Sequence, residues 1–161
     1  MKYFLDTEFY EDGRTIELIS IGIVREDGRE FYACNLDADF TRIRMASPWL
    51  AANVLPQLPE DGAAAWLNRE NIAEKIREFI NSEKVEIWAY YADYDWVVFC
   101  QLFGTMIDLP KGFPMFCMDL KQLSVEVGSP EHPKQVEGEH NALADARRNK
   151  DLYTFLRSHA T

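Results

Sequence analysis

The chain has 161 residues and a mass of 18.7 kDa, the length of one ordinary domain, and we expect a single domain over residues 1–161. With 47% apolar and 27% charged residues, it is too hydrophobic to be disordered and too often interrupted by charge to cross a membrane. The net charge of −10 argues against a broad basic surface for nucleic acid, but it is compatible with acids gathered around a cation.

The cysteines and the opening residues predict a cytoplasmic protein. The three cysteines are an odd number, lie far apart and form no C-x-x-C pair, so we expect reduced thiols. The chain reaches Asp6 after three consecutive apolar residues, which are too few for a signal peptide.

Strands dominate the first 35 residues. Residues 2–5 are an apolar run and residues 17–24 alternate, and both patterns are typical of strands. Residues 25–29 form a turn in which Gly28 supplies the positive φ, and residues 30–35 return as a third, antiparallel strand.

The middle of the chain combines helices with one strand. Ser47 caps a short helix that Pro56 ends, and residues 69–79 carry apolar side chains at helical spacing. Residues 85–91 are β-branched and aromatic enough for a buried strand, which feeds a helix over residues 93–103.

The last third contains a loop and a long helix. A short apolar stretch around Phe116 leads into residues 119–127, and residues 128–139 are a loop rich in glycine, proline and charge. An amphipathic pattern predicts a helix from Asn141 to about Arg157. A meander followed by strand–helix alternation predicts an α/β fold, a mixed sheet with helices packed on it.

Two carboxylates stand at the end of the first strand. Because side chains alternate along a strand, Asp6 and Glu8 share one face, about 7 Å apart along the backbone. The D-x-E pattern alone is typical of a solvated strand end. An apolar and central strand is an unfavourable place for two unpaired acids, so we expect them to share a functional pocket.

Asp93 and Asp95 follow the strand over residues 85–91, at the kind of junction where open α/β sheets gather functional groups. We expect Asp93 to be the N-cap of the next helix and Asp95 to point over the sheet end toward Asp6. The alternative for Asp95 is an acid that only complements the helix dipole.

His140 and Asp145 surround the start of the last helix. Five residues rotate side chains about 140° apart around a helix, so a shared site requires His140 to lie at or before the helix start. Alanines at positions 142, 144 and 146 would let this face approach the sheet and bring Asp145 to the other acids.

Together, and in this order, these elements resemble the three motifs of the DEDDh exonuclease family. The likeness covers roughly residues 1–156, and the first two motifs are most similar to a mycobacterial, polyadenylate-specific branch of that family. The residues that carry it are Asp6-Thr7-Glu8, Tyr94-Asp95-Trp96, and His140 to Asp145.

The resemblance implies a ribonuclease-H-like fold with a mixed five-stranded sheet. It also implies a metal-dependent 3′-5′ exoribonuclease that degrades single-stranded RNA to 5′-mononucleotides with two Mg²⁺ or Mn²⁺ ions, in this branch with adenylate preferred. In that scheme His140 accepts a proton from the attacking water. The implied metal ligands are Asp6, Glu8, Asp95 and Asp145.

Partner and substrate contacts are further expectations. The family often forms homodimers, for which Trp49, Trp66 and Trp88 are interface candidates. Candidate nucleotide-binding residues, each also plausible in a core, are Thr7, Phe9, Trp49 and Tyr94.

Basic and aromatic residues near the motifs raise two further points. Two roles are open for Arg147 and Arg148, which could bind phosphate or cover the surface of a helix, and we favour the surface role for both.

Many relatives carry Asn, often preceded by His, shortly before the second-motif aspartate. Here Tyr91 and Tyr90 replace them, which removes a polar substrate contact but no metal ligand.

Three other functions compete with this one. A DNA 3′-5′ exonuclease would use the same residues but would not recognise the 2′-hydroxyl of RNA. A phosphatase with Asp6 as nucleophile usually needs a second aspartate where Glu8 stands, and would leave the H-x4-D motif unused. A non-catalytic nucleotide-binding module would keep the site without turnover.

Overall fold

The computed structural model describes residues 1–81, 84–135 and 138–160. Three antiparallel strands open the chain, β1 (Lys2–Glu11), β2 (Ile16–Arg25) and β3 (Glu30–Asn35). Gly28 has a φ of 93° in the predicted turn between β2 and β3. The first strand extends well past residue 5, because β2 pairs with it as far as Glu11.

The sheet is mixed, as predicted, but has six strands where five were expected. Strands β4 (Trp66–Leu67), β5 (Glu86–Ala89) and β6 (Met118–Asp119) complete it in the order β4-β3-β2-β1-β5-β6. Strand β1 is antiparallel to β2 and parallel to β5. Both β4 and β6 have only two residues, too few for any periodicity to predict them.

Six α-helices cover the sheet in the described part of the chain. The helices at residues 40–46 and 120–126 were not predicted, whereas the other four lie close to their expected positions. They are α1 (Phe40–Ala46), α2 (Pro48–Asn53), α3 (Arg69–Phe79), α4 (Asp93–Gln101), α5 (Leu120–Glu126) and α6 (Ala142–Ser158). None of the described helices has the length and apolar character needed to cross a membrane.

The two faces of β1 separate two cores. Tyr3 and Leu5 pack with residues of α3 and α4, whereas Phe4 packs with residues of α5 and α6. Paired with β2 and β5 and covered on both faces, β1 is one of the two middle strands of the sheet. Trp88 is only 2% exposed, so its expected role in a dimer interface is wrong.

Helix caps agree with the sequence at one of three places. The Ser47 side chain accepts a hydrogen bond from the N–H of Leu50 at the start of α2, as predicted. Asn141 caps α6 and does not belong to it. Asp93 is not the cap of α4, because that position is Ala92.

Candidate active site

Three carboxylates from two distant parts of the chain meet on the α6 face of the sheet. Ligand oxygens of Asp6, Glu8 and Asp145 lie within 4.8 Å of one another, the one group of this kind among the described residues. Asp6 and Glu8 share this face with Phe4, as the alternation of strand side chains predicts. Oxygen atoms at this spacing can surround a hard divalent cation.

Gly22 lets the start of α6 reach the sheet. It pairs with Asp6 in the neighbouring strand, and a Cβ there would overlap the backbone of Ala142 and Leu143. Only glycine therefore allows this close approach. Next to it, the register shifts after Glu8 so that β2 contributes one extra residue, a bulge of the kind that is common beside active sites.

Two asparagines fix the position of α6. The Asn141 side chain accepts hydrogen bonds from the N–H groups of Leu143 and Ala144. The buried amide of Asn149 donates to the carbonyl of Leu5 at 2.9 Å, which ties the helix directly to the acid-bearing strand. The sequence patterns did not single out Asn149, because an asparagine within a helix has no periodic signal.

His140 precedes α6, as its spacing from Asp145 requires. Its φ is 67°, and its main-chain N–H donates to Oδ2 of Asp145 at 2.9 Å. The side chain lines the cleft, with its ring edge-on to Trp49 at 4.9 Å. The histidine and the aspartate are therefore held as one unit.

Asp95 lies next to this cluster but not within it. It is 6% exposed, and its Oδ1 accepts hydrogen bonds from the N–H and hydroxyl of Thr7 at 2.7 and 2.6 Å. Thr7 is buried with both donors engaged, so it helps to position Asp95, and its contact with a nucleotide stays a prediction. The charge of Asp95 still reaches Asp6 and Glu8, because it raises the pKa of both.

The site acids resist ionisation. Burial raises the pKa of Asp6 well above its usual range, and Asp95, Asp145 and Glu8 raise it further. Burial, followed by Asp145 and Asp95, raises the pKa of Glu8 to about 8. Such mutual repulsion is what a bound cation relieves.

Asp119 holds the β5–α4 junction, a role that no sequence pattern indicated. It follows Met118 in β6, paired with Ala89 of β5. One carboxylate oxygen accepts from the N–H of Ala92 at 3.2 Å, and the other caps α5. This residue therefore fixes the turn from which Asp95 projects.

A cleft of about 510 Å³ opens over Asp6 and Asp145. One wall is the segment before α6, in which the Gln135 side chain is hydrogen-bonded to Asp145. His132 anchors this segment to α5, with Nε2 2.8 Å from the hydroxyl of Ser124. The lining residues are Asp6, Tyr90, Lys134, Gln135, Glu139, His140, Asp145, Arg148 and Asn149.

Aromatic rings flank the site. Phe9 and Tyr94 stack nearly parallel, with ring centres 5.5 Å apart. Tyr94 is 54% exposed and Trp49 is 52% exposed, which leaves both rings accessible to a base.

Known proteins resemble this chain in sequence. Residues 1–156 match the family described as the Rv2179c-like 3′-5′ exoribonuclease domain. The 3′-5′ exoribonucleases Rv2179c and MT2234.1, from the H37Rv and CDC 1551 strains of Mycobacterium tuberculosis, are each 45% identical over 161 residues. Each match covers 98% of this chain and 94% of the relative.

Two solved structures resemble it in fold. Exonuclease I matches 98% of this chain with a TM-score of 0.67 and 16% identity, and this chain spans 40% of that one. A full-length 3′-exonuclease matches with a TM-score of 0.51 and 12% identity, covering 98% of this chain and 81% of the other. The expected fold class, a ribonuclease-H-like exonuclease fold, is thereby confirmed.

Proposed function

Because this chain belongs to the Rv2179c-like 3′-5′ exoribonuclease family, we propose that it hydrolyses single-stranded RNA from the 3′ end to 5′-mononucleotides. The observation that carries the proposal is the convergence of Asp6, Glu8 and Asp145, with His140 attached to the last of them. We also propose that residues 1–161 form one exonuclease domain.

The donor set fits hard divalent cations. Every ligand is a carboxylate oxygen, which suits Mg²⁺ or Mn²⁺ and does not suit softer metals. We propose Asp6, Glu8, Asp95 and Asp145 as the residues that hold two such ions. When bound, the ions supply positive charge to the phosphate oxygens and lower the pKa of the attacking water.

His140 serves as the base in this proposal. The water oxygen forms a bond to phosphorus, the bond from phosphorus to the 3′ oxygen of the preceding nucleotide breaks, and the proton of the water moves to the imidazole. The leaving 3′ oxygen takes a proton from solvent. Contact with Trp49 and the link to Asp145 hold His140 at the cleft throughout.

Exposed aromatic rings support the choice of a single-stranded substrate. Trp49 and Tyr94 offer exposed rings for stacking, the partly buried Phe9 is stacked against Tyr94, and stacking requires unpaired bases. Adenylate preference is part of the proposal, supported by the likeness of the first two motifs to the polyadenylate-specific branch.

We further propose a cytoplasmic homodimer, in which exposed Trp49 is available for contact and free cysteines suit a reducing compartment.

Product analysis on defined oligonucleotides tests the function. Homopolymeric RNAs with free or blocked 3′ ends, and matched DNAs, are incubated with Mg²⁺, Mn²⁺ or chelator. We expect release of 5′-mononucleotides from free RNA ends only, fastest from polyadenylate, and none with chelator. Equal cleavage of DNA would favour a DNA exonuclease, and nucleotide binding without cleavage would favour a non-catalytic module.

Two matched variants separate a site effect from a charge effect. Asp6→Asn removes a carboxylate from the cluster and should abolish hydrolysis. Asp93→Asn removes an exposed carboxylate from the first turn of α4 and should leave the rate within about twofold of wild type. Undiminished hydrolysis by Asp6→Asn would refute the proposed site.

A further inference from the structure

Arg148 lies in the acidic cleft, one helical turn after Asp145. It lines the same cavity as Asp6, Asp145 and His140. Burial raises the pKa of Asp6 and of Asp145, whereas the positive charge of Arg148 acts to lower both. Its guanidinium is therefore close enough to influence the carboxylates.

Among the described residues, 1–81, 84–135 and 138–160, no salt bridge neutralises this guanidinium, because no carboxylate oxygen there lies within 4.0 Å of its nitrogens. Arg147, its neighbour, donates two hydrogen bonds to Glu30 at 2.7 and 2.6 Å on the protein surface. The surface role favoured for both residues thus fits Arg147 and does not fit Arg148.

An aromatic ring supports Arg148 in place of an acid. The guanidinium carbon lies 5.5 Å from the centre of the Tyr90 ring. Tyr91 and His132 contact that ring edge-on, with centres 4.7 and 5.8 Å away, and His132 is itself anchored to Ser124. A cation–π contact restrains the guanidinium while its N–H groups stay free to donate.

We propose that Arg148 binds a phosphate group of the RNA 3′ end beside the carboxylates, and that Tyr90 is the residue that positions it. The five N–H groups of arginine form a rigid fork that matches two phosphate oxygens. In a chain of net charge −10, a cation fixed inside the cleft attracts the phosphate where the acids would otherwise repel it. The inference rests on the proposed function and adds a phosphate contact to it.

Binding of 5′-AMP and adenosine, measured by calorimetry in Mg²⁺, tests the role of Arg148. Arg148→Ala should weaken AMP binding about 10- to 100-fold and leave adenosine binding unchanged, since charged hydrogen bonds to phosphate are lost. Arg148→Lys keeps the charge without the fork, so its affinity for AMP should lie between those of the wild type and Arg148→Ala. Arg147→Ala, the matched control, should change AMP binding by less than about twofold.

The role of Tyr90 is tested in the same assay. Tyr90→Phe keeps the ring and should bind AMP like the wild type, whereas Tyr90→Leu should weaken binding about 3- to 10-fold. Adding Tyr90→Leu to Arg148→Ala should cause no further loss, because the ring acts only through the arginine.

Four results would overturn the inference. The first is unchanged AMP affinity in Arg148→Ala, and the second is full AMP affinity in Arg148→Lys together with a loss in Arg147→Ala as large as that in Arg148→Ala. The third is an equal loss of affinity for AMP and for adenosine in Arg148→Ala. The fourth is additive losses of AMP affinity from Tyr90→Leu and Arg148→Ala. Binding is measured without turnover. A wild-type protein that binds AMP through Arg148 but leaves RNA intact would therefore support this inference and refute the proposed hydrolysis.

Discussion

Glu8→Gln should make the metal-free protein more stable at alkaline pH while removing its nuclease activity. Glu8 is one of three acids whose oxygens lie within 4.8 Å of one another, so ionising it in the folded protein is unfavourable. Glutamine keeps the shape and removes the charge. The substitution therefore separates the cost of gathering the acids from the benefit that a bound cation provides.

The size of the effect follows from the pKa of Glu8, which rises from 4.5 to about 8, first through burial and then through Asp145 and Asp95. A pKa that is higher in the folded state means that protonation favours folding. The contribution is complete below about pH 4.5 and is lost as the pH rises to about 8. At about 1.4 kcal/mol per pKa unit, the upper limit of the stability gained by Glu8→Gln at alkaline pH is roughly 5 kcal/mol. Because solvent screens part of the interaction, we expect a gain of about 1–3 kcal/mol.

Urea unfolding in chelator at pH 5, 7 and 8.5 measures the difference in free energy of unfolding between Glu8→Gln and the wild type. The variant should match the wild type closely at pH 5 and exceed it by about 1–3 kcal/mol at pH 8.5. Glu78→Gln, which removes an exposed charge on α3, controls for the change in net charge. Mg²⁺ should stabilise the wild type more than Glu8→Gln. A variant less stable than wild type at pH 8.5, or an advantage independent of pH, would refute the reasoning.

Three other substitutions test how the site is held. Gly22→Ala should lower the rate of RNA hydrolysis at least about tenfold, because its Cβ overlaps the backbone of Ala142, and a normal rate and melting temperature would contradict the close approach. Thr7→Val removes the hydroxyl donor to Asp95 and should cost about 1–2 kcal/mol in urea unfolding, whereas no change would mean that the bond is dispensable. Asp119→Ala should reduce stability by about 1–2 kcal/mol and also reduce kcat, and a loss of stability with kcat intact would separate the α5 cap from the site.

Local signals predicted much of the fold. Ser47 marked the start of α2 through its side-chain oxygen, and Gly28 marked a turn through its positive φ. The five-residue spacing from His140 to Asp145 placed the histidine before α6, because helix geometry allows no other shared site. In each case the cause lies within a few residues of the effect.

Features fixed by distant contacts could not be predicted in this way. Asp119 supports the start of α4 because β6 pairs with β5, and two residues of strand carry no pattern. The bond between Thr7 and Asp95 joins residues 88 positions apart. Asp93 looked like a helix cap by composition, but the chain turns one residue earlier, where Asp119 satisfies the N–H of Ala92.

The distribution of the acids along the chain bears on how the protein is made. Asp145 is synthesised more than a hundred residues after Asp6, and α6 must still dock on the strand through Asn149. A nascent chain on the ribosome therefore holds an incomplete site until α6 has left the exit tunnel.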